Sequence, residues 1–113
     1  MRYILTLLAC LFFLSPNVVL SETLKDLVKR GGLYYKPFTK VPFTGKITGR
    51  TRGSIKNGKK HGPWVFYHDN GRLSEKGTYK NGKKEGLWVW FKKDGAVLEP
   101  FTGTFKDGRK VSD

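Results

Sequence analysis

The stretch Lys56-Asn57-Gly58-Lys59-Lys60-His61-Gly62-Pro63-Trp64 returns, nearly letter for letter, as Lys80-Asn81-Gly82-Lys83-Lys84-Glu85-Gly86-Leu87-Trp88. The offset, from 56 to 80, is 24 residues. A catalytic motif need occur only once. A phrase that recurs at a fixed period specifies a supersecondary unit that buries its apolar face against copies of itself.

The period can be followed along the chain. Gly53-Ser54-Ile55-Lys56-Asn57-Gly58-Lys59-Lys60 aligns with Gly77-Thr78-Tyr79-Lys80-Asn81-Gly82-Lys83-Lys84, and again with Gly103-Thr104-Phe105-Lys106-Asp107-Gly108-Arg109-Lys110. The second halves align as well. Gly62, Trp64, Val65, Phe66 and Tyr67 match Gly86, Trp88, Val89, Trp90 and Phe91, and Gly71 matches Gly95. The pairs Asn57-Gly58, Asn81-Gly82 and Asp107-Gly108 predict tight hairpin turns, because these residue types accept the positive φ that such turns require. Aromatic and β-branched residues flank them, as strands favour. Each unit therefore reads as two antiparallel strands and a second turn, at Asp69-Asn70-Gly71 or Lys93-Asp94-Gly95. Successive units extend one meandering sheet, so the fold class is all-β.

Strand alternation places Trp64 and Phe66 on one face, and Val65 and Tyr67 on the other. Trp88 and Trp90, then Val89 and Phe91, repeat the arrangement. Rows of aromatics are expected to cross the sheet and pack on one another. The recurrent Gly53, Gly62, Gly77, Gly86 and Gly103 are expected to leave room for ring faces or bends.

The remaining organisation follows from composition. Residues 1–21 have a signal-peptide layout: Arg2, an apolar run from Ile4 to Leu14, a break at Ser15-Pro16-Asn17, and Val19-Leu20-Ser21 before a cleavage expected between Ser21 and Glu22. An uncleaved membrane anchor and lipidation at Cys10 are the alternatives. Cleavage makes the protein periplasmic or secreted, and it removes the only cysteine. Residues 22–32 have Leu24, Leu27 and Val28 at helical spacing, followed by Gly31-Gly32, which predicts a short helical cap. Residues 33–52 form a divergent lead-in, whose Pro42-Phe43-Thr44-Gly45 reappears as Pro100-Phe101-Thr102-Gly103. Two units, 53–76 and 77–102, and a partial unit with a tail, 103–113, complete the chain.

The pattern Gly-x-[aromatic or Ile]-Lys-[Asn or Asp]-Gly-Lys-Lys-x-Gly-x-Trp-x-x-[aromatic] resembles the bacterial variant of the MORN (membrane occupation and recognition nexus) repeat. Many bacterial proteins of this kind are labelled YwqK-family antitoxins. The resemblance spans Leu33 to about Lys110. It implies an open, elongated, twisted β-meander of MORN-type hairpins with a non-enzymatic binding or scaffolding role. On this reading Gly53, Asn57, Gly58, Gly62, Trp64, Gly77, Tyr79, Asn81, Gly82, Gly86, Trp88, Gly103, Phe105 and Gly108 define the repeat. An export signal sits badly with a cytoplasmic antitoxin, unless the toxin is exported too.

The residues themselves offer little chemistry. His61 becomes Glu85 one unit on and His68 becomes Lys92, as surface positions would. Asp69, Asp94 and Asp107 lie beside turn glycines, where turn formation accounts for them. No catalytic group, cofactor or metal site is expected. The formal charge of +13 marks a surface attractive to polyanions. The basic pairs Lys59-Lys60, Lys83-Lys84 and Arg109-Lys110 follow equivalent turns and are expected to form a positive row along one edge. Lysines placed to prevent edge-to-edge aggregation would look the same. The expected partner is a protein or an anionic envelope component, lipid headgroup or glycan. An exported chain disfavours nucleic acid, and exposed edges allow self-association.

Overall fold

The computed structural model describes residues 21–113, so residues 1–20 of the expected signal segment, Cys10 among them, lie outside the described residues. Ten strands form: β1 (Ser21–Thr23), β2 (Val28–Arg30), β3 (Leu33–Tyr35), β4 (Gly45–Thr48), β5 (Thr51–Lys56), β6 (Lys59–Tyr67), β7 (Leu73–Lys80), β8 (Lys83–Trp90), β9 (Gly103–Lys106) and β10 (Arg109–Ser112). Eight of them make one open sheet in the order β1-β4-β5-β6-β7-β8-β9-β10, and β2 pairs with β3 alone. From β4 onward every neighbour in the sheet is antiparallel and sequential, the expected meander; β1 adds to β4 in parallel.

The expected turns form for the expected reason. Asn57 (φ 51°) and Gly58 (φ 82°), Asn81 (52°) and Gly82 (84°), and Asp107 (51°) and Gly108 (83°) are all left-handed, as a two-residue hairpin turn of matching twist demands. These turns also stack. The Gly82 amide donates to the Lys60 carbonyl (2.9 Å) and the Gly108 amide to that of Lys84 (3.0 Å). At the opposite ends of the strands the loop around Asn70 rests on the loop around Asp94. Asn70 Nδ2 donates to the Lys93 carbonyl (3.0 Å) and Arg72 Nη1 to the Asp94 carbonyl (2.6 Å).

The helix expected over residues 22–32 is corrected to a single 3-10 turn, Leu24–Asp26, between strands. Asp26 does begin a helical cap. Its carboxylate accepts from both the backbone amide and the hydroxyl of Thr23, and these bonds hold it below the ordinary carboxylate range. Beyond it, tertiary pairing wins over local spacing. Gly31 (φ 56°) and Gly32 (φ 80°) do not stop a helix; they turn a hairpin that pairs Val28 with Tyr35 and Arg30 with Leu33. The guanidinium of Arg30 lies 4.2 Å from the Tyr35 ring centre and the Lys29 ammonium 5.3 Å from that of Tyr34.

The core joins the lead-in to the repeats: Leu27, Phe43, Ile47, Ile55, Trp64 and Trp88 are buried, with Tyr34, Phe66, Tyr79, Trp90 and Phe105 packed against them. The glycines before each tryptophan explain how such rings fit in a sheet. Arg52 pairs with Val65 and Ser54 with His61, so Gly62, Pro63 and Trp64 of β6 all face the single residue Gly53. The same bulge sets Gly86–Trp88 against Gly77. Gly62 (φ 82°) and Gly86 (φ 78°) supply the left-handed backbone of the bulge. Each indole then lies against the facing glycine, where a Cβ would come within 2.2 Å of Trp64 at Gly53 and within 2.1 Å of Trp88 at Gly77.

Gly77→Ala is therefore expected to cost about 3 kcal/mol, the upper end of ordinary overpacking penalties. In a Trp88→Leu background the same change should cost under about 1 kcal/mol, because the clashing ring is gone. Urea denaturation of the four chains checks this, and strictly additive losses would remove the ring-on-glycine explanation.

Candidate functional site: an aromatic face roofed by lysines

Six rings run without a break across β6 to β9. Trp64 meets Phe66 (ring centres 6.0 Å apart, stacked) and Tyr79 (5.9 Å, edge-on). Tyr79 meets Trp88 edge-on at 4.9 Å, and Phe66 reaches Trp88 at 6.4 Å. Trp88 leads to Trp90 (5.6 Å), and Trp90 to Phe105 (5.8 Å). Edge-on and offset contacts of this kind are the favoured geometries for aromatic pairs. Trp64 and Trp88 are the buried floor, and their indole Nε1–H groups donate to the carbonyls of Ser54 (3.0 Å) and Thr78 (2.9 Å). Phe66, Tyr79, Trp90 and Phe105 stand half-buried above them.

The six basic residues of the expected row have three different fates. Strand alternation sends Lys60 and Lys84 over the rings. The Lys60 ammonium lies 5.1 Å from the centres of Trp64 and Tyr79 and 5.4 Å from that of Phe66. Lys84 repeats this over Trp88 (5.1 Å), Trp90 (4.5 Å) and Phe105 (5.6 Å). Each such contact is worth about 0.5–2 kcal/mol, rising with desolvation. Lys59 and Lys83 are exposed, their stems resting 3.7 Å and 3.8 Å from where a Cβ would project on Gly82 and Gly108 of the next turn. Arg109 is exposed, while Lys110 leaves the row to donate to the Pro100 carbonyl (3.1 Å) and pair with Asp113 (2.9 Å).

Burial lowers the pKa of Lys60, and the nearby Lys29 lowers it further. The acid that answers these cations is Glu75, which sits on β7 directly between Phe66 and Trp90. Burial raises its pKa, and Lys84 and Lys60 only partly offset that. Glu75 is not among the residues that the sequence pattern singles out. Its parity with Tyr79 along β7 was the available signal.

Two further positions differ from expectation. His68 is not simply a surface residue, since its Nε2 donates to the Phe91 carbonyl (2.9 Å) and links two units. The repeated Pro-Phe-Thr-Gly segments share one role: Thr44 Oγ1 accepts the Asn57 amide (2.8 Å) and Thr102 Oγ1 that of Trp90 (3.0 Å). Their phenylalanines part company, with Phe43 buried and Phe101 exposed. A third Pro-Phe-Thr, at residues 37–39, puts Phe38 fully into solvent with a left-handed backbone (φ 64°).

Fold and face together define an open antiparallel β-meander of tandem hairpins with an aromatic-cationic surface. No family model, curated protein or solved structure significantly matches the chain.

In the native state the pKa of Glu75 lies above its ordinary value of 4.5, chiefly through burial. The native state thus binds its proton more tightly than the unfolded chain does. The stability this gives is present below about pH 4.5 and is lost as pH rises through the raised pKa. Glu75→Gln is expected to be more stable than the unaltered chain at about pH 7 and to lose that advantage near pH 4. Thermal melts at the two pH values test this, and a pH-independent difference would remove the burial argument.

Proposed function

We propose that the chain is an exported, non-enzymatic binding module of the MORN-variant type, which presents its aromatic face to a protein partner of the cell envelope. The observation that carries this reading is the row of Phe66, Tyr79, Trp90 and Phe105 on one side of a single sheet, each half-buried, the first three joined through the buried Trp64 and Trp88 and Trp90 meeting Phe105 directly. Rings of this size, held rigid by a buried floor, are the residues that dominate the energetics of protein interfaces. Positions that differ between units, Phe66 against Trp90 and His61 against Glu85, supply individuality on a common frame. Affinity capture from envelope extract at low and high salt tests the reading. A protein partner retained at high salt, and lost when Phe66 and Trp90 are changed to Ser, is the expected result. Binding that survives those changes would refute it.

The second reading is attachment to an anionic lipid surface, and the Phe38 loop favours it. Phe38 and Val41 project from the turn between β3 and β4 with Lys36 and Lys40 beside them in sequence. A strained, solvent-facing phenylalanine between lysines suits insertion at a headgroup boundary. Flotation with phosphatidylserine vesicles should then decrease several-fold for Phe38→Ser and with added salt. Unchanged flotation of that variant would exclude the loop as an anchor.

A further inference from the structure

The β2–β3 hairpin does more than cover the core. It roofs the first of the stacked turns, and the cleft beneath it, about 340 Å³ in volume, is lined by Lys29, Lys59, Lys60, Lys83, Tyr34, Tyr79 and Asn81 together with the turn glycines. Four lysines thus line one small space without a carboxylate in its lining. Among the described residues, the ion pairs formed by lysine are those of Lys36, Lys93 and Lys110, so none of the four is neutralised that way. Burial first, and then repulsion from Lys29, lowers the pKa of Lys60 in this partly desolvated recess, with Glu75 acting the other way. A multiply charged anion would reverse the lowering.

We infer that this cleft is a binding site for a compact oxyanion of the phosphomonoester or pyrophosphate class, held by Lys29, Lys59, Lys60 and Lys83. The volume suits a small phosphate-bearing molecule and lies at the low end of ligand pockets. Recognition falls to side chains. The Gly58 and Gly82 amides already donate to the carbonyls of Phe43 and Lys60, so the turns do not offer a backbone cradle. Tyr79 remains a donor, since burial pushes its hydroxyl pKa up to about 12. Asn81 is exposed at the rim and brings a neutral amide.

The next turn provides an internal comparison. One unit on, Phe105 replaces Tyr79 and Asp107 replaces Asn81, so a hydroxyl is lost and a negative charge gained. The His61 position becomes Glu85, whose carboxylate sits on the Asp107 amide at 3.1 Å. The same frame is therefore less favourable to an anion at the second turn, and only the first lies under the hairpin.

Calorimetric titration of the full-length chain with pyrophosphate tests the assignment. Saturable one-site binding is expected, weakened at least tenfold by Lys29→Gln or Lys83→Gln and several-fold by Tyr79→Phe. Lys92→Gln, on the far loops, should leave the affinity within about twofold, as removal of one remote surface charge does under screening salt. Lack of saturation, or equal weakening by Lys92→Gln, would overturn the site. Vesicles containing phosphatidic acid provide a second arm. Vesicle binding displaced by pyrophosphate would identify a lipid headgroup as the source of the anion. Vesicle binding indifferent to both pyrophosphate and Lys29→Gln, without soluble binding, would refute the cleft. None of these readouts depends on Phe66, Trp90 or Phe38.

Discussion

An indole laid against a glycine is the contact on which the rest of this molecule depends. An open sheet of hairpins has no second layer over most of its length, so its largest side chains need a hiding place within the sheet itself. Gly53 and Gly77 provide it by having no Cβ, and the bulges at Gly62 and Gly86 tilt Trp64 and Trp88 down onto them. Each ring then satisfies its N–H on a carbonyl of the adjacent strand. The buried floor this creates is what lets Phe66, Tyr79, Trp90 and Phe105 stand half-exposed and yet ordered above it. Removing a glycine, a bulge or an indole breaks the same device at three different points.

The lysines above the rings are part of the same packing. Lys60 and Lys84 spread their aliphatic stems over an apolar face and bring their ammonium groups to three rings each. A formal charge of +13 therefore does not describe an evenly solvated surface. Some of it roofs aromatics, some is spent against Glu75, and some gathers beneath the β2–β3 hairpin. Binding and stability share residues here, which is why the Lys60 position repeats in register with the tryptophan it covers.

Much of this could be read from the chain. Asn-Gly and Asp-Gly turns are decided locally by the φ values their residues tolerate, so all three were visible. Ring rows followed from strand alternation and the 24-residue offset. What escaped was decided by partners distant in sequence. Residues 22–30 have helical spacing, yet Val28–Arg30 found a better arrangement opposite Leu33–Tyr35. Identical Pro-Phe-Thr tripeptides gave a buried Phe43, an exposed Phe101 and a fully solvated Phe38, because only the surroundings differ. The basic pairs look like units in the sequence although alternation separates their members, and the cleft needs Lys29, some thirty residues before the turn it faces.

The loop contacts at the far end of the strands carry a polarity. His68, Asn70 and Arg72 all donate forward, to main-chain carbonyls of residues 91–94, so most of the loop contacts at this junction ask only a backbone of the following unit, the exposed Asp69–Lys93 ion pair being the side-chain exception. The turn glycines bond the other way, but again to a carbonyl. A duplicated hairpin spliced behind an existing one would thus find most of its loop contacts on main chain that any sequence provides. Growth by copying is open to such a ribbon at its downstream end, and each new copy is free to drift in the letters that meet the outside world.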